Sequence, residues 1–370
     1  MKKKILVDLT YVDPKNPTGV STFALRLMFG LDGIELTKNT FKFILIVNSK
    51  NEEYIKRELK NNDYVLYNCK KEFGLSINSY KKWLENIISK LNVDAYFVPF
   101  FTIWTVLPKN TRTIAVIHDI QPLQLNNKAK NILYQYIVKA KIKRLYHIVT
   151  ISEYSKNMIE IYFPIAKGKI SVIYNSLGKT NYLNCASIVN EDYILNVNAL
   201  CDYKNQITLI KAFDRIKEQI PHILIFKGRK NEYWENVLKP YIEKHNLCHR
   251  VMLLDKNMTN EEMASLYGHA DLFVNPSQME GFGFTPLEAA LHETPVLTTK
   301  CTALYETTLG KLEYYDPPTD DVLLAERILI CLNNRKTDEQ LHSLSCIFEK
   351  KYSQEVQANS YYELMKEILL

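Results

Sequence analysis

Short apolar runs rich in β-branched residues alternate along the chain with longer stretches of helical period, the signature of βα units built on a parallel sheet. Two such series are visible. The first predicts strands at Lys4 to Leu9, Phe41 to Val47, Ala95 to Val98, Thr113 to Ile117, Ile148 to Ile151 and Ile170 to Ile173. The second restarts at Tyr193 to Val197 and continues at His222 to Phe226, Val251 to Leu254, Leu272 to Val274 and Pro295 to Thr298. The stretch between them, Asn175 to Asn190, is polar and aperiodic, so the domain boundary is placed there. From about Val322 the pattern is helical, and KKYSQEVQANSYYELMKEILL forms a last amphipathic helix whose apolar positions can dock on a neighbour. Two doubly wound domains follow, with chemistry expected in the loops after the strands.

Length agrees with that division, since 370 residues exceed what one core usually organises. With 46% hydrophobic and 24% charged residues, disorder is excluded. The net charge of +6 is mild, but its distribution is uneven. No acidic residue lies between Asp119 and Glu153, whereas Lys128, Lys130, Lys139, Lys141, Lys143 and Arg144 fall there among Ile132, Leu133, Tyr134, Tyr136, Ile137 and Val138. That reads as a basic amphipathic helix. The seven cysteines are scattered and never form a C-x-x-C pair, which argues against a disulfide framework or a zinc site and for a reducing cytosol. The N-terminus reads as a strand rather than a signal peptide. The longest uncharged apolar stretch, Ala95 to Leu107, is broken by Pro99 and falls short of the ~20 residues of a spanning helix.

The richest chemistry lies in EGFGFTPLE, Glu280 to Glu288. Gly281 and Gly283 permit a tight path into a helix opening near Pro286, and amides around Gly283, Phe284 and Thr285 at such a helix start favour a diphosphate. The plainer reading is a capping box, with Thr285 as N-cap, Pro286 at N1 and Glu288 reaching back. Glu280 lies outside the helix, free to face a ligand. His118 follows an apolar strand, Gly19 opens a helix after Pro17 and Thr18, and Lys204 stands near a helix start; each has a structural alternative as a core histidine, a turn glycine and a solvated lysine.

The ordered strings MASLYGHADLFVNPSQMEGFGFTPLEAALHETPVL, TGVSTFALRL, AVIHDIQPL, TISEYSKNMI, SVIYNS and NVNALCDYKNQITLIKAF together resemble glycosyltransferase family 4, retaining enzymes of the two-Rossmann GT-B architecture. The likeness covers nearly the whole chain. It implies an α/β fold of two Rossmann-like domains facing a central cleft, with residues 1–177 on the acceptor side, 178–350 on the nucleotide-sugar side, and a helix at 351–370 returning to the first domain. It implies that Glu280 contacts the transferred sugar, that His118 lies beside it, that Glu288 binds the ribose and that Lys204 neutralises the diphosphate, with Gly19, Gly283, Phe284 and Thr285 lining the donor. The family's usual diphosphate arginine is missing: Ala199 and Tyr203 stand in its places, and Arg229 in IFKGRK either reaches the phosphates from the adjacent loop or is a surface residue.

No D-x-D motif or His/Cys cluster is present to hold a metal against the phosphates, so metal-independent transfer with no cofactor is expected. The implied reaction moves a hexose or deoxyhexose, with retention, onto a saccharide, lipid-linked acceptor in bacterial O-antigen or capsule synthesis. The basic helix and the aromatic stretch Phe97 to Trp104 suit an acceptor at an anionic membrane, placing the chain in the cytoplasm or on the inner face of the plasma membrane. A nucleotide-sugar epimerase of similar architecture and a non-catalytic nucleotide-binding partner subunit remain as alternatives. Nucleic acid is not expected, for want of a recognition motif.

Overall fold

The computed structural model describes residues 2–15, 18–59, 64–68, 77–121, 123, 128–178 and 186–370. It divides into two compact units, one of residues 1–176 with 354–370 and one of residues 177–353.

The sheet of the first unit is built from β1 (Lys3–Asp8), β2 (Phe41–Val47), β3 (Val65–Asn68), β4 (Ala95–Val98), β5 (Arg112–Val116), β6 (His147–Thr150) and β7 (Ile170–Val172). Its order is β3-β2-β1-β4-β5-β6-β7, and all neighbours run parallel. The order reverses beside β1, where β1 pairs with both β2 and β4, which is where an open parallel sheet presents its ligand crevice. β4 is buried throughout, and β1 and β5 are buried over Ile5 to Val7 and Thr113 to Val116, as expected of central strands in a parallel sheet.

The helix Gly19–Gly33 starts at Thr18, whose side chain accepts from the Ser21 amide. The final helix, Gln354–Leu369, crosses it at Gly30. A Cβ built on Gly30 would stand 2.8 Å from the Cβ of Ala358, so only glycine allows this approach. Gln354 Nε2 donates to the Arg26 carbonyl at 2.6 Å, and Gln357 joins the Tyr174 carbonyl and the Ser176 hydroxyl. Tyr361 and Ala358 are fully buried beneath it.

The second unit has β8 (Tyr193–Val197), β9 (Ile223–Lys227), β10 (Val251–Leu254), β11 (Leu272–Asn275), β12 (Val296–Thr299) and β13 (Glu313–Tyr315) in the order β10-β9-β8-β11-β12-β13, again parallel. Its core joins Leu209, Phe213 and Ile216 of the helix Gln206–Ile216 to Phe226, Leu272 and Val274 of the sheet.

The strands expected from the pattern are present within a residue or so, and two were not expected. β3 (VLYN) and β13 (EYY) each lie at one edge of their sheet, as do β7 and β10, and they hold too few aliphatic residues to stand out as apolar runs. The segment read as a basic amphipathic helix is helical over Lys128–Arg144, but its apolar residues do not share one face. Val138 and Ile142 are buried, whereas Ile132, Leu133 and Tyr136 are exposed beside the lysines. Cys201, Cys248, Cys301, Cys331 and Cys346 are free thiols, while Cys69 and Cys185 lie outside the described residues, as does Pro17.

Candidate functional site

In the second unit the loops leaving β8, β11 and β12 meet at the carboxyl edge of the sheet, and a buried polar ladder fixes their spacing. Asn198 Nδ2 donates to Asn275 Oδ1 at 3.0 Å, the Ser277 hydroxyl donates to the same oxygen at 2.8 Å, and Asn275 Nδ2 reaches the Thr298 hydroxyl at 3.3 Å. Thr299 donates to the Ser277 carbonyl at 2.7 Å. Such a network is stable in a dry interior only because its members satisfy one another.

The loop after β8 makes a short 3-10 turn, Asp202–Lys204, and passes through Asn205 in the left-handed region at φ 59° before the helix Gln206–Ile216. Asparagine tolerates that backbone, and its amide is used on both sides. Nδ2 donates to the carbonyls of Pro276 and Pro318, and Oδ1 accepts from Thr208. The Gln278 amide donates to the Tyr203 carbonyl at 2.9 Å, stitching this loop to the one after β11. The result brings together two residues 76 apart in sequence: Lys204 Nζ lies 2.6 Å from Glu280 Oε1, with side chains only 13% and 10% exposed. A charge pair this dry holds only because each partner compensates the other.

The helix Phe284–Leu291 begins earlier than the capping-box reading requires, at Phe284 rather than Pro286. Its N-cap is Gly283, at φ 84°, with no side-chain cap, so Thr285 lies inside the first turn and no capping box forms. A side chain at Gly283 would be strained by that positive φ, and its Cβ would stand 2.5 Å from Leu304 Cδ2, which would have to shift. The amides of Phe284 and Thr285 occupy the first turn, where helix geometry offers no acceptor. Glu288 does not reach back to the cap. Its Oε2 accepts from the Tyr267 hydroxyl at 3.0 Å, and that phenol is pushed well above its usual value by burial, with the Glu288 charge adding to it.

Arg229 is exposed, directly after Gly228. Gly228 lies against the loop after β8, where a Cβ would come 2.4 Å from the Asn198 carbonyl oxygen, so Arg229 leaves the sheet edge from the loop next to that of Lys204. Among the described residues it makes no ion pair.

In the first unit His118 follows β5 at the carboxyl edge. Its Nε2 is 3.0 Å from the Pro99 carbonyl oxygen, and a carbonyl only accepts, so Nε2 carries the hydrogen and Nδ1 keeps a lone pair. Phe23 meets the ring edge-on at 4.7 Å, and Phe100 lies at 6.0 Å. Burial pushes the imidazole down to about 4, so it is neutral at pH 7. Gly19 is exposed at the first helical position, and a Cβ there would meet nothing within 4 Å, so packing does not demand the glycine.

One group among the described residues could hold a metal: ligand atoms of Asp192, His222 and Asp271 lie within 4.8 Å of one another. They sit before β8, β9 and β11, at the end of the sheet opposite Lys204 and Glu280, and Asp271 is already bonded by Arg335 and by the Tyr193 amide. The polar ladder and Thr302, whose hydroxyl bonds both the amide and the carbonyl of Glu280 at 2.8 Å, were not singled out from the sequence. The only signal there was the clustering of Asn, Ser and Thr just past strand ends.

The fold is that of known glycosyltransferases. A glycosyltransferase from Rickettsia africae superposes with a TM-score of 0.72 at 18% identity, covering 100% of this chain and 99% of that one. The Anabaena protein Alr3699/HepE, solved in complex with UDP and glucose, superposes at 0.67 and 15% identity over 99% and 100%. In sequence, the O-antigen chain mannosyltransferase RfbU of Salmonella typhimurium is 29% identical over 202 residues, 54% of this chain and 56% of RfbU, so the chain spans about half the length of that relative. Residues 186–344, which carry Lys204, Arg229, Glu280, Gly283 and Glu288, match the family described as Glycosyl transferases group 1.

Proposed function

We propose that the chain is a retaining glycosyltransferase of family 4 that moves a hexose or deoxyhexose from a nucleotide-diphosphate sugar to a saccharide acceptor in bacterial surface-polysaccharide synthesis. The observation that carries the reading is the dry Lys204–Glu280 pair beside the open helix start at Gly283, inside the segment that matches the family. Lys204 supplies a mobile positive charge for the departing diphosphate, the amides of Phe284 and Thr285 supply fixed dipoles, and Arg229 adds a second cation from the neighbouring loop. Glu280 accepts hydroxyls of the transferred sugar. Glu288, with one oxygen taken by Tyr267, offers the other to the ribose. His118, neutral at pH 7, presents Nδ1 as an acceptor to a sugar hydroxyl. With no covalent nucleophile assigned, the acceptor attacks the front face and the leaving phosphate oxygen takes its proton. A product of inverted anomeric configuration, read by NMR, would overturn retention.

The deciding experiment incubates the protein with UDP-, GDP- and dTDP-sugars, with and without saccharide acceptors; the likeness to RfbU puts mannose donors first. Nucleotide release that needs an acceptor is expected. Isomerised donor without acceptor would favour an epimerase, and binding without turnover a partner subunit.

A membrane-side acceptor is supported by the exposed Ile132, Leu133 and Tyr136 among the lysines of the helix Lys128–Arg144 and by Trp104, 74% exposed. The Trp104 loop is tied to that helix by Lys141, which donates to the Thr105 carbonyl. Apolar tips with basic neighbours suit an anionic leaflet, at about 1 kcal/mol per basic residue. Flotation with anionic vesicles is expected, and its loss in a Trp104→Ala, Leu133→Ser variant; vesicles that bring no protein with them would remove this part of the proposal.

A further inference from the structure

Thr302 has a backbone that its side chain disfavours. It sits at φ 55°, in the left-handed region, where a β-branched residue is a true outlier. Glycine would take that conformation without steric cost. What threonine adds there is its hydroxyl, which accepts from the Glu280 amide at 2.8 Å and donates to the Glu280 carbonyl at 2.8 Å. The next amide, of Ala303, also reaches the Glu280 carbonyl at 3.4 Å. The loop after β12 thus grips the peptide of Glu280 from both sides, while Lys204 holds its carboxylate.

Glu280 needs such a grip. It lies between β11 and the helix Phe284–Leu291, in a loop that makes no ladder bonds of its own, so its direction must come from a neighbouring element. We propose that Thr302 is a positioning residue for transfer: its strained backbone is kept because the hydroxyl fixes the peptide of Glu280, and with it the direction in which the carboxylate meets the donor sugar. The inference rests on the transferase reading above and extends it to a residue that acts through Glu280.

A structural role and a positioning role predict different outcomes for substitution. Thr302→Gly removes the strain together with the hydroxyl, so stability and activity should part: the unfolding temperature holds or rises, while kcat falls about 10- to 100-fold, as expected when a reacting group is misplaced by a fraction of an ångström to an ångström. The Kd for the nucleoside diphosphate released in the reaction, read by calorimetry, stays within about threefold, because Lys204 and the helix start are intact. Thr302→Ser keeps the hydroxyl and restores kcat to within about threefold of the unchanged protein. Thr302→Ala loses the hydroxyl and falls with the glycine variant. A Thr302→Gly protein that transfers at the original rate overturns the inference, and so does a loss of activity that only follows a loss of unfolding temperature across the three variants. If the unsubstituted protein transfers no sugar from any donor, the transferase reading fails and this inference fails with it. Transfer by that protein combined with an unaffected Thr302→Gly variant sinks the positioning role alone.

Discussion

The two ends of the strands are finished in different ways. At the amino ends, charges are locked onto backbone. In the first unit Lys3 and the Lys4 amide both bind Asp94, and Lys4 Nζ caps the Leu91 carbonyl at 2.7 Å. In the second unit Arg250 binds the carbonyls of Lys217, Ile220 and His222 while lying over the ring of Phe213, and Asp271 binds Arg335 and the Tyr193 amide. At the carboxyl ends, the charged and lone-pair-bearing groups are set on side chains that a ligand can recruit: Lys204, Glu280, Glu288 and His118 Nδ1. One edge closes the fold, and the other stays chemically open. Substitutions at the first should cost stability while turnover per folded molecule holds, and those at the second should cost activity beyond any loss of stability.

The largest separation is expected for the double variant Lys204→Met, Glu280→Gln. Removing both partners of a buried pair leaves no stranded charge, so the unfolding free energy should stay within about 1 kcal/mol, whereas removing Lys204 alone should cost about 3 kcal/mol or more. Transfer by the double variant should fall by at least about 100- to 1,000-fold. Full activity there would erase the distinction between the edges.

His118 sharpens the comparison from the other unit. Its depressed value, about 4 against 6.5 when unfolded, means that the unfolded chain takes up a proton first as the pH falls. Its contribution is complete above pH 6.5 and is lost between there and pH 4, about 3 kcal/mol in total. Denaturant titrations at pH 7 and pH 4 should show that loss, and His118→Gln should flatten it. An unchanged slope would mean that the ring is far better solvated than its contacts with Phe23 and Phe100 imply.

At the amino edge Arg250→Ala should cost about 2–3 kcal/mol, from its carbonyl bonds and its cover of Phe213, with transfer per folded molecule unchanged. A specific loss of turnover would break the comparison. The smallest effect is expected for Asp271. Burial alone would raise its carboxyl, but His222 and Arg335 outweigh that and hold it below the usual carboxylate value. The stability it gives is present above about pH 4 and is lost as the pH falls further, so Asp271→Asn should leave the protein less sensitive to acid, read as a shallower fall in unfolding free energy below about pH 4.

Parallel strands buried on both faces announce themselves as apolar runs, which is why β2, β4 and β8 can be read to the residue; β10 lies at an edge but is still legible because VMLL is wholly apolar. β3 and β13 cannot, because VLYN and EYY hold too few aliphatic residues to form an apolar run. The helix at Phe284 misled in a specific way. Thr-Pro-x-Glu is a sound capping pattern, but the left-handed Gly283 lets the helix start earlier, and Tyr267, distant in sequence, takes the glutamate that the pattern assigned to the cap. Lys204 and Glu280 were each visible through family likeness, whereas their mutual pairing depends on how two loops are stitched. Thr302 was invisible, since nothing in TKCTALY marks a threonine with positive φ.

The crossing at Gly30 and Ala358 has a consequence for recombination. Because the chain leaves the first unit at residue 176 and re-enters it at residue 354, the second unit is an insertion that can be excised or exchanged as one continuous gene segment. The first unit cannot be inherited by a single crossover. A chimera joined near residue 176 would bring a foreign closing helix against Gly30, where even one additional methyl group on the helix Gly19–Gly33 has no room.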